Sequence, residues 1–135
     1  MTNDALRALL QDAHTIAVVG LSPKPDRPSH GVAGYLKRAG YRIVPINPGH
    51  EKVLGEPSYP TLADAARDHT IDVVDVFRRS ELAGAVVDEA IALHPRLIWL
   101  QQGVIDEAAA ARAEAAGIPI VMDACLAVQH RLLEV

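Results

Sequence analysis

Cysteine is almost missing from this chain of 135 residues: Cys125 stands alone. One thiol excludes an internal disulfide and any cysteine-built metal cluster within one chain. No apolar run approaches the ~18 residues that a membrane span needs. The N-terminus carries Asp4 and lacks the layout of a signal peptide. A soluble, cytoplasmic location is expected. Internal repeats, low-complexity tracts and linkers are absent, so one domain over residues 1–135 is the simplest organisation. A chain of this length buries roughly two thirds of its unfolded surface and needs no staples. Positive charge is not in excess either. Thirteen Lys and Arg stand against 17 Asp and Glu, a net charge of −4. That balance argues against broad nucleic-acid or anionic-membrane binding, so an anion site has to be local.

What is present is alternation. Asn3 is placed to cap a first helix reaching Ala13, with Leu6, Leu9, Leu10 and Ala13 on one face. Thr15–Gly20 is continuously apolar, as a strand covered on both faces would be. A loop rich in Ser, Pro and basic residues follows, then a helix capped by Ser29 and ended by Gly40. Further strands are expected over Tyr41–Ile46, Ile71–Phe77, Leu97–Gln101 and Ile118–Met122, with a short edge strand near Val53. Thr61 with Asp64 forms a capping-box-like start, Ser80 is placed to cap a long helix, and Asp106 and Glu107 open an alanine-rich one. A last helix runs from about Ala124 to Leu133. Strands alternating with helices give an α/β fold, a doubly wound parallel sheet with helices on both faces. The five main strands take the order 2-1-3-4-5, and ligands in such sheets bind at the carboxyl ends beside the point where strand order reverses.

The residues expected at those ends are informative. Ser22, Lys24, Arg27 and Ser29 follow the first main strand, and Asn47-Pro48 follows the second. Phe77, Arg78, Arg79 and Ser80 follow the third, and Gln101, Gln102 and Gly103 the fourth. Four cations thus flank the crevice of a net-acidic protein. Helix N-termini at Ser29 and Ser80 point the same way, since free N–H groups favour phosphate. The dinucleotide fingerprint G-x-G-x-x-G is lacking: Gly20 is present, but Ser22 replaces the second glycine. The second strand ends in Asn47-Pro48 where an acid would take the ribose diol of NAD. A nicotinamide dinucleotide is therefore disfavoured, and coenzyme A, with its diphosphate and 3′-phosphate, suits Arg and Lys better.

VVGLSPKPDRPSHGV, IVPINP, VDVFRRS, WLQQGV and DACLAVQH occur in this order and together resemble the small bacterial and archaeal CoA-binding proteins. That family is a single Rossmann-like domain, similar to the CoA-binding domain of the succinyl-CoA synthetase alpha subunit. The resemblance spans about Thr15 to Leu133. It implies CoA lodged over the strand ends, with contacts from Gly20, Ser22, Lys24, Arg27, Asn47, Pro48, Phe77, Arg78, Gln102 and Gly103. The last motif departs from the family pattern, which has arginine after the aspartate and a Glu-His pair; here Ala124 and Gln129-His130 stand there. A synthetase's phosphorylated histidine sits in a second domain that this chain has no room for.

No catalytic constellation assembles. Cys125 and His130 are five apart, off one helical face, and Cys125, Val128 and Leu132 share a spacing that reads as core; a disulfide with the CoA thiol is the weaker alternative. His30 either faces the phosphates or is a polar first-turn residue. His14, His50, His69 and His94 show no metal-ligand spacing. Asp72 and Asp75 point to opposite faces, and Asp75, inside an apolar strand, is expected to bond a neighbouring backbone group or a basic loop residue. Trp99 reads as core. The expected function is binding of CoA or an acyl-CoA without catalysis. The alternatives are a small nicotinamide-dependent oxidoreductase, or a CoA-handling subunit of an acyl-CoA synthetase. A homodimer, or a protein partner, is left open.

Overall fold

A computed structural model describes residues 1–135. In chain order its elements are α1 (Asn3–Asp12), β1 (Thr15–Val19), α2 (Pro28–Arg38), β2 (Arg42–Ile46), β3 (Lys52–Val53), β4 (Glu56–Pro57), α3 (Leu62–Ala66), β5 (Val73–Val76), α4 (Ser80–Leu93), β6 (Leu97–Leu100), α5 (Glu107–Ala115), β7 (Ile120–Val121) and α6 (Leu126–Leu132). The main sheet has the order β2-β1-β5-β6-β7, all parallel. This is the expected doubly wound arrangement, with order reversing between β1 and β5. The edge segment near Val53 is a separate antiparallel hairpin, β3 with β4.

Side chains alternate across the sheet, and each face has its own helices. Ala17, Val19, Val44, Val74, Val76, Ile98 and Leu100 pack with residues of α3, α4 and α5. Ile16, Val18, Ile43, Val73, Leu97 and Trp99 pack with α1, α2 and α6. Both faces are covered, which is why the strands read as unbroken apolar runs. Trp99 is core, as expected: it is fully buried and its indole N–H donates to the Ala124 carbonyl at 2.8 Å.

Three caps differ from expectation. α1 is capped by Thr2, whose hydroxyl accepts from the Ala5 N–H at 3.1 Å; Asn3 is already helical, and a cap must sit one residue outside. α2 starts earlier than Ser29, because Pro28 with its fixed φ takes the first helical position and Arg27 becomes the cap residue. α4 likewise begins at Ser80, with Arg79 as cap residue and no side-chain cap bond. The Thr61–Asp64 start of α3 holds as expected, and Asp106, expected with Glu107 near the start of α5, is its cap residue. Asp72, at the opposite end of the sheet from the crevice, accepts the N–H groups of His14 and Thr15. Arg96 joins it there and also pairs with Asp12.

Candidate functional site

β1 ends in Gly20, and a turn there has to bring the chain close against the next strand. Gly20 has φ +85, and a Cβ on it would stand 2.2 Å from the Phe77 carbonyl oxygen and 2.6 Å from an Arg78 guanidinium nitrogen. Only glycine permits that approach. From this junction a loop runs to Arg27, and its shape is held from several sides. The Ser22 N–H donates to Ser29 Oγ at 3.0 Å, and the Lys24 N–H to Ser22 Oγ at 3.1 Å. Asn47 Nδ2 donates to the Leu21 carbonyl at 2.7 Å, tying the end of β2 to the loop after β1. Ser29 is thus a buried brace inside the helix, not its cap.

The other loops are stitched together as well. Ser80 Oγ donates to the Gly103 carbonyl and accepts from the Ile105 N–H. The Gly103 N–H donates to Asp123 Oδ1 at 2.7 Å. Gln101 Oε1 accepts the Leu126 N–H at 3.0 Å. A crevice of about 740 Å³ opens between these loops at the carboxyl ends of the strands, within the size range of small-molecule sites.

Ten of the expected positions line it: Gly20, Ser22, Lys24, Arg27 and Ser29 on one side, Asn47 at the end of β2, and Phe77, Arg78, Gln102 and Gly103 opposite. Pro48 is not among the lining residues; it is exposed two positions beyond the strand end, where the chain turns away. Arg79, Gln101, His50 and Cys125 also line the crevice. His30 does not.

Cys125 is the main correction. The expected apolar stripe with Val128 and Leu132 is not core, since Val128 is 42% and Leu132 70% exposed. Cys125 instead precedes α6 as its cap residue, half-buried, with the crevice before it. The carboxyl-end rule, applied to β7 as to the other strands, would have found it. His130 lies elsewhere: its Nδ1 is 2.8 Å from the Tyr35 hydroxyl, and it borders a separate hollow of about 300 Å³. Burial lowers its pKa.

The electrostatics are one-sided. Lys24, Arg27, Arg78 and Arg79 line the crevice and no Asp or Glu does, although the chain carries a net charge of −4. Lys24, Arg27 and Arg78 have no carboxylate partner; Arg79 reaches only Glu81, at 3.6 Å, with both side chains about three-quarters exposed. The N-terminus of α2 adds its positive end on the same side.

Beneath this floor lies Asp75. It pairs in register with Val18 and Trp99, one side-chain row below Phe77 and Gln101. It is fully buried, and neither carboxyl oxygen has a hydrogen-bond partner. The expected backbone or basic partner is not there. Burial alone raises its pKa well above the usual carboxylate range, because a carboxyl taken out of water favours its neutral form.

The chain matches the family model described as CoA binding domain over residues 14–131. A Bacillus subtilis (strain 168) protein, the uncharacterized YneT, is 39% identical over 125 residues, covering 93% of this chain and 91% of its own. The structure of cell-free ID.343 from Thermus thermophilus superposes with a TM-score of 0.93 at 39% identity, covering 98% of this chain and 99% of that one. A hypothetical protein from Pyrococcus horikoshii OT3 does so with a TM-score of 0.94 at 35% identity, covering 100% and 94%.

Proposed function

This chain belongs to the CoA-binding domain family, and from that premise we propose that residues 1–135 form one domain that holds CoA or an acyl-CoA across its strand ends and carries out no reaction of its own. The observation that carries the reading is a crevice lined by four cations and no carboxylate in an acidic protein. Anions are drawn to that place and nowhere else of comparable charge is needed. CoA brings a diphosphate and a ribose 3′-phosphate, which suits cations presented from two separate loops. Arg78, folded over Gly20 between those loops, is positioned to bridge them. The hydrogen-bonded braces at Ser22, Ser29 and Asn47 support a loop already in its binding shape, which lowers the ordering cost of binding.

CoA is expected to raise the melting temperature, dephospho-CoA to raise it less, and NADH to compete poorly with either. Equal shifts for CoA and dephospho-CoA would remove the 3′-phosphate from the argument, and no shift at millimolar CoA would sink the reading. NADH binding tighter than CoA would favour an oxidoreductase. Mass spectrometry of the ligand released from freshly purified protein tests occupancy in the cell directly.

Arg78→Glu tests the site itself. Hydrogen bonds to charged groups contribute about 1.5–3 kcal/mol, so reversal is expected to weaken CoA binding by roughly 10- to 100-fold. The unliganded melting temperature should change little, because Arg78 has no carboxylate partner to lose. An unchanged dissociation constant would make Arg78 only a solvated charge.

A further inference from the structure

The crevice is divided along its length. Its cations come from the loops after β1 and β5, whereas Gln101, Gln102, Gly103, Val104 and Cys125, from the β6 and β7 side, carry no charge. One carboxylate stands beside that uncharged half without lining it: Asp123, in the turn between β7 and α6. On the reading of the crevice as a CoA site, we propose that Asp123 is a positioning residue: it locks the Gln102–Gly103 peptide so that the Gln102 carbonyl is offered to an amide N–H of the ligand's pantetheine arm.

The chain makes a tight turn after β6. The Val104 N–H donates to the Gln101 carbonyl at 2.9 Å, and Gly103, the third residue of the turn, has φ +85. The two common turn types differ by a flip of their central peptide, here the one joining Gln102 to Gly103. Glycine at the third position makes both accessible, so a group outside the turn has to choose. Asp123 Oδ1 accepts the Gly103 N–H at 2.7 Å, the short length of a bond to a charged acceptor. In a planar trans peptide the N–H and C=O point to opposite sides. The Gln102 carbonyl is therefore turned away from Asp123, and no backbone N–H donates to it. Gln102 and Gly103 line the crevice and Asp123 does not.

Asp123 is itself held in an uncommon shape. It has φ +55, a left-handed conformation that aspartate tolerates better than most residues. Its own N–H donates to the Val104 carbonyl at 3.3 Å. The turns after β6 and β7 are thus joined by two bonds running in opposite directions. From the α4 side, Ser80 Oγ donates to the Gly103 carbonyl at 3.3 Å. A turn fixed from both sides has no peptide left for the ligand to reorient, which lowers the ordering cost of binding. The pantetheine arm of CoA carries amide N–H groups; adenosine 3′,5′-bisphosphate lacks the arm and has none.

Two substitutions separate the hydrogen bond from the backbone shape. Asp123→Gly suits the positive φ and removes the acceptor. Asp123→Asn suits it as well and keeps an oxygen for Gly103. Calorimetry gives the affinities for CoA and for adenosine 3′,5′-bisphosphate, and NMR follows exchange of the Gly103 amide hydrogen in the unliganded proteins. In Asp123→Gly that amide should exchange roughly tenfold faster or more, and CoA affinity should fall roughly tenfold while the bisphosphate binds as before. Asp123→Asn should keep the protection and hold CoA within about threefold of the parent. CoA affinity unchanged in Asp123→Gly overturns the proposal. So does an equal loss for both ligands, which would make Asp123 a brace of the whole fold, and so does an Asp123→Asn protein as weak as Asp123→Gly, which would give the role to charge. Each of these leaves the CoA reading intact, whereas a parent protein that does not bind CoA overturns both.

Discussion

Asp75→Val is expected to stabilise the protein, and to do so more at pH 7.5 than at pH 4.5. The native carboxyl is fully buried with both oxygens unpartnered, and its pKa is raised well above the usual range by desolvation. In the unfolded chain the same group ionises near pH 3.9. Above that pH the native state holds a proton that the unfolded state has released. The stability this group confers is therefore complete below the unfolded pKa and is lost as pH rises toward and through the folded one. Each pH unit inside that window costs about 1.4 kcal/mol. Valine is apolar, β-branched and somewhat larger than aspartate, so it suits a buried strand position whose neighbours Val18 and Trp99 are apolar and leaves no cavity. Removing an unsatisfied buried group contributes about 1–3 kcal/mol by itself. That alone is a rise of roughly 3–10 °C in melting temperature, and linkage adds to it as pH rises from 4.5 to 7.5. Chemical denaturation of both proteins at the two pH values measures it. A difference that is the same at both would mean that Asp75 is not the titrating group.

Gly20→Ala should act in the opposite direction and with comparable size. Its Cβ would stand 2.2 Å from the Phe77 carbonyl oxygen, closer than any real contact. That oxygen is backbone, and its surroundings cannot drift: the Phe77 N–H is bonded to the Val19 carbonyl and the Gly20 N–H to the Ile46 carbonyl. At φ +85 an alanine is strained even in open space, which costs about 1–2 kcal/mol. Overpacking against a fixed neighbour adds roughly 1–3 kcal/mol. The expected loss, about 2–5 kcal/mol, is a large share of a typical domain's 5–15 kcal/mol. The displaced groups would be Phe77 and Arg78, so ligand binding should fall as well. Gly31→Ala is the control. Gly31 sits within α2 with nothing within 4 Å of an added Cβ, and there alanine should stabilise by about 1 kcal/mol. A Gly20→Ala protein that unfolds at the same denaturant concentration as the parent would show that the close approach at this junction does not hold.

These two positions mark how far the sequence could be read. Gly20 was legible as the end of a buried strand, yet the need for glycine came from Phe77, 57 residues later, and no local pattern announces such a neighbour. Asp75 stood out as a carboxyl inside an apolar strand. Alternation placed it on the face opposite Asp72, and the expected bond to a backbone group or a basic loop residue did not form. The caps failed for a local reason. Pro28 starts α2 before Ser29 can cap it, and Ser29 then serves a longer-range purpose, accepting the Ser22 N–H. Cys125 was misplaced because helical spacing with Val128 and Leu132 was given more weight than its position just after a strand.

The sequence by itself determined the alternation of strands and helices, the sheet order, and the clustering of Lys24, Arg27, Arg78 and Arg79 at one edge. These follow from periodicity and connection rules, which act between neighbours along the chain. Only the tertiary structure decided that the crevice wall holds no carboxylate, that its loops brace one another, that Asp75 has no partner, and that Gln101 and Cys125 share an uncharged end. Each of those depends on which groups from distant segments meet in space. Burial and hydrogen-bond satisfaction are properties of that meeting, and no single segment carries them.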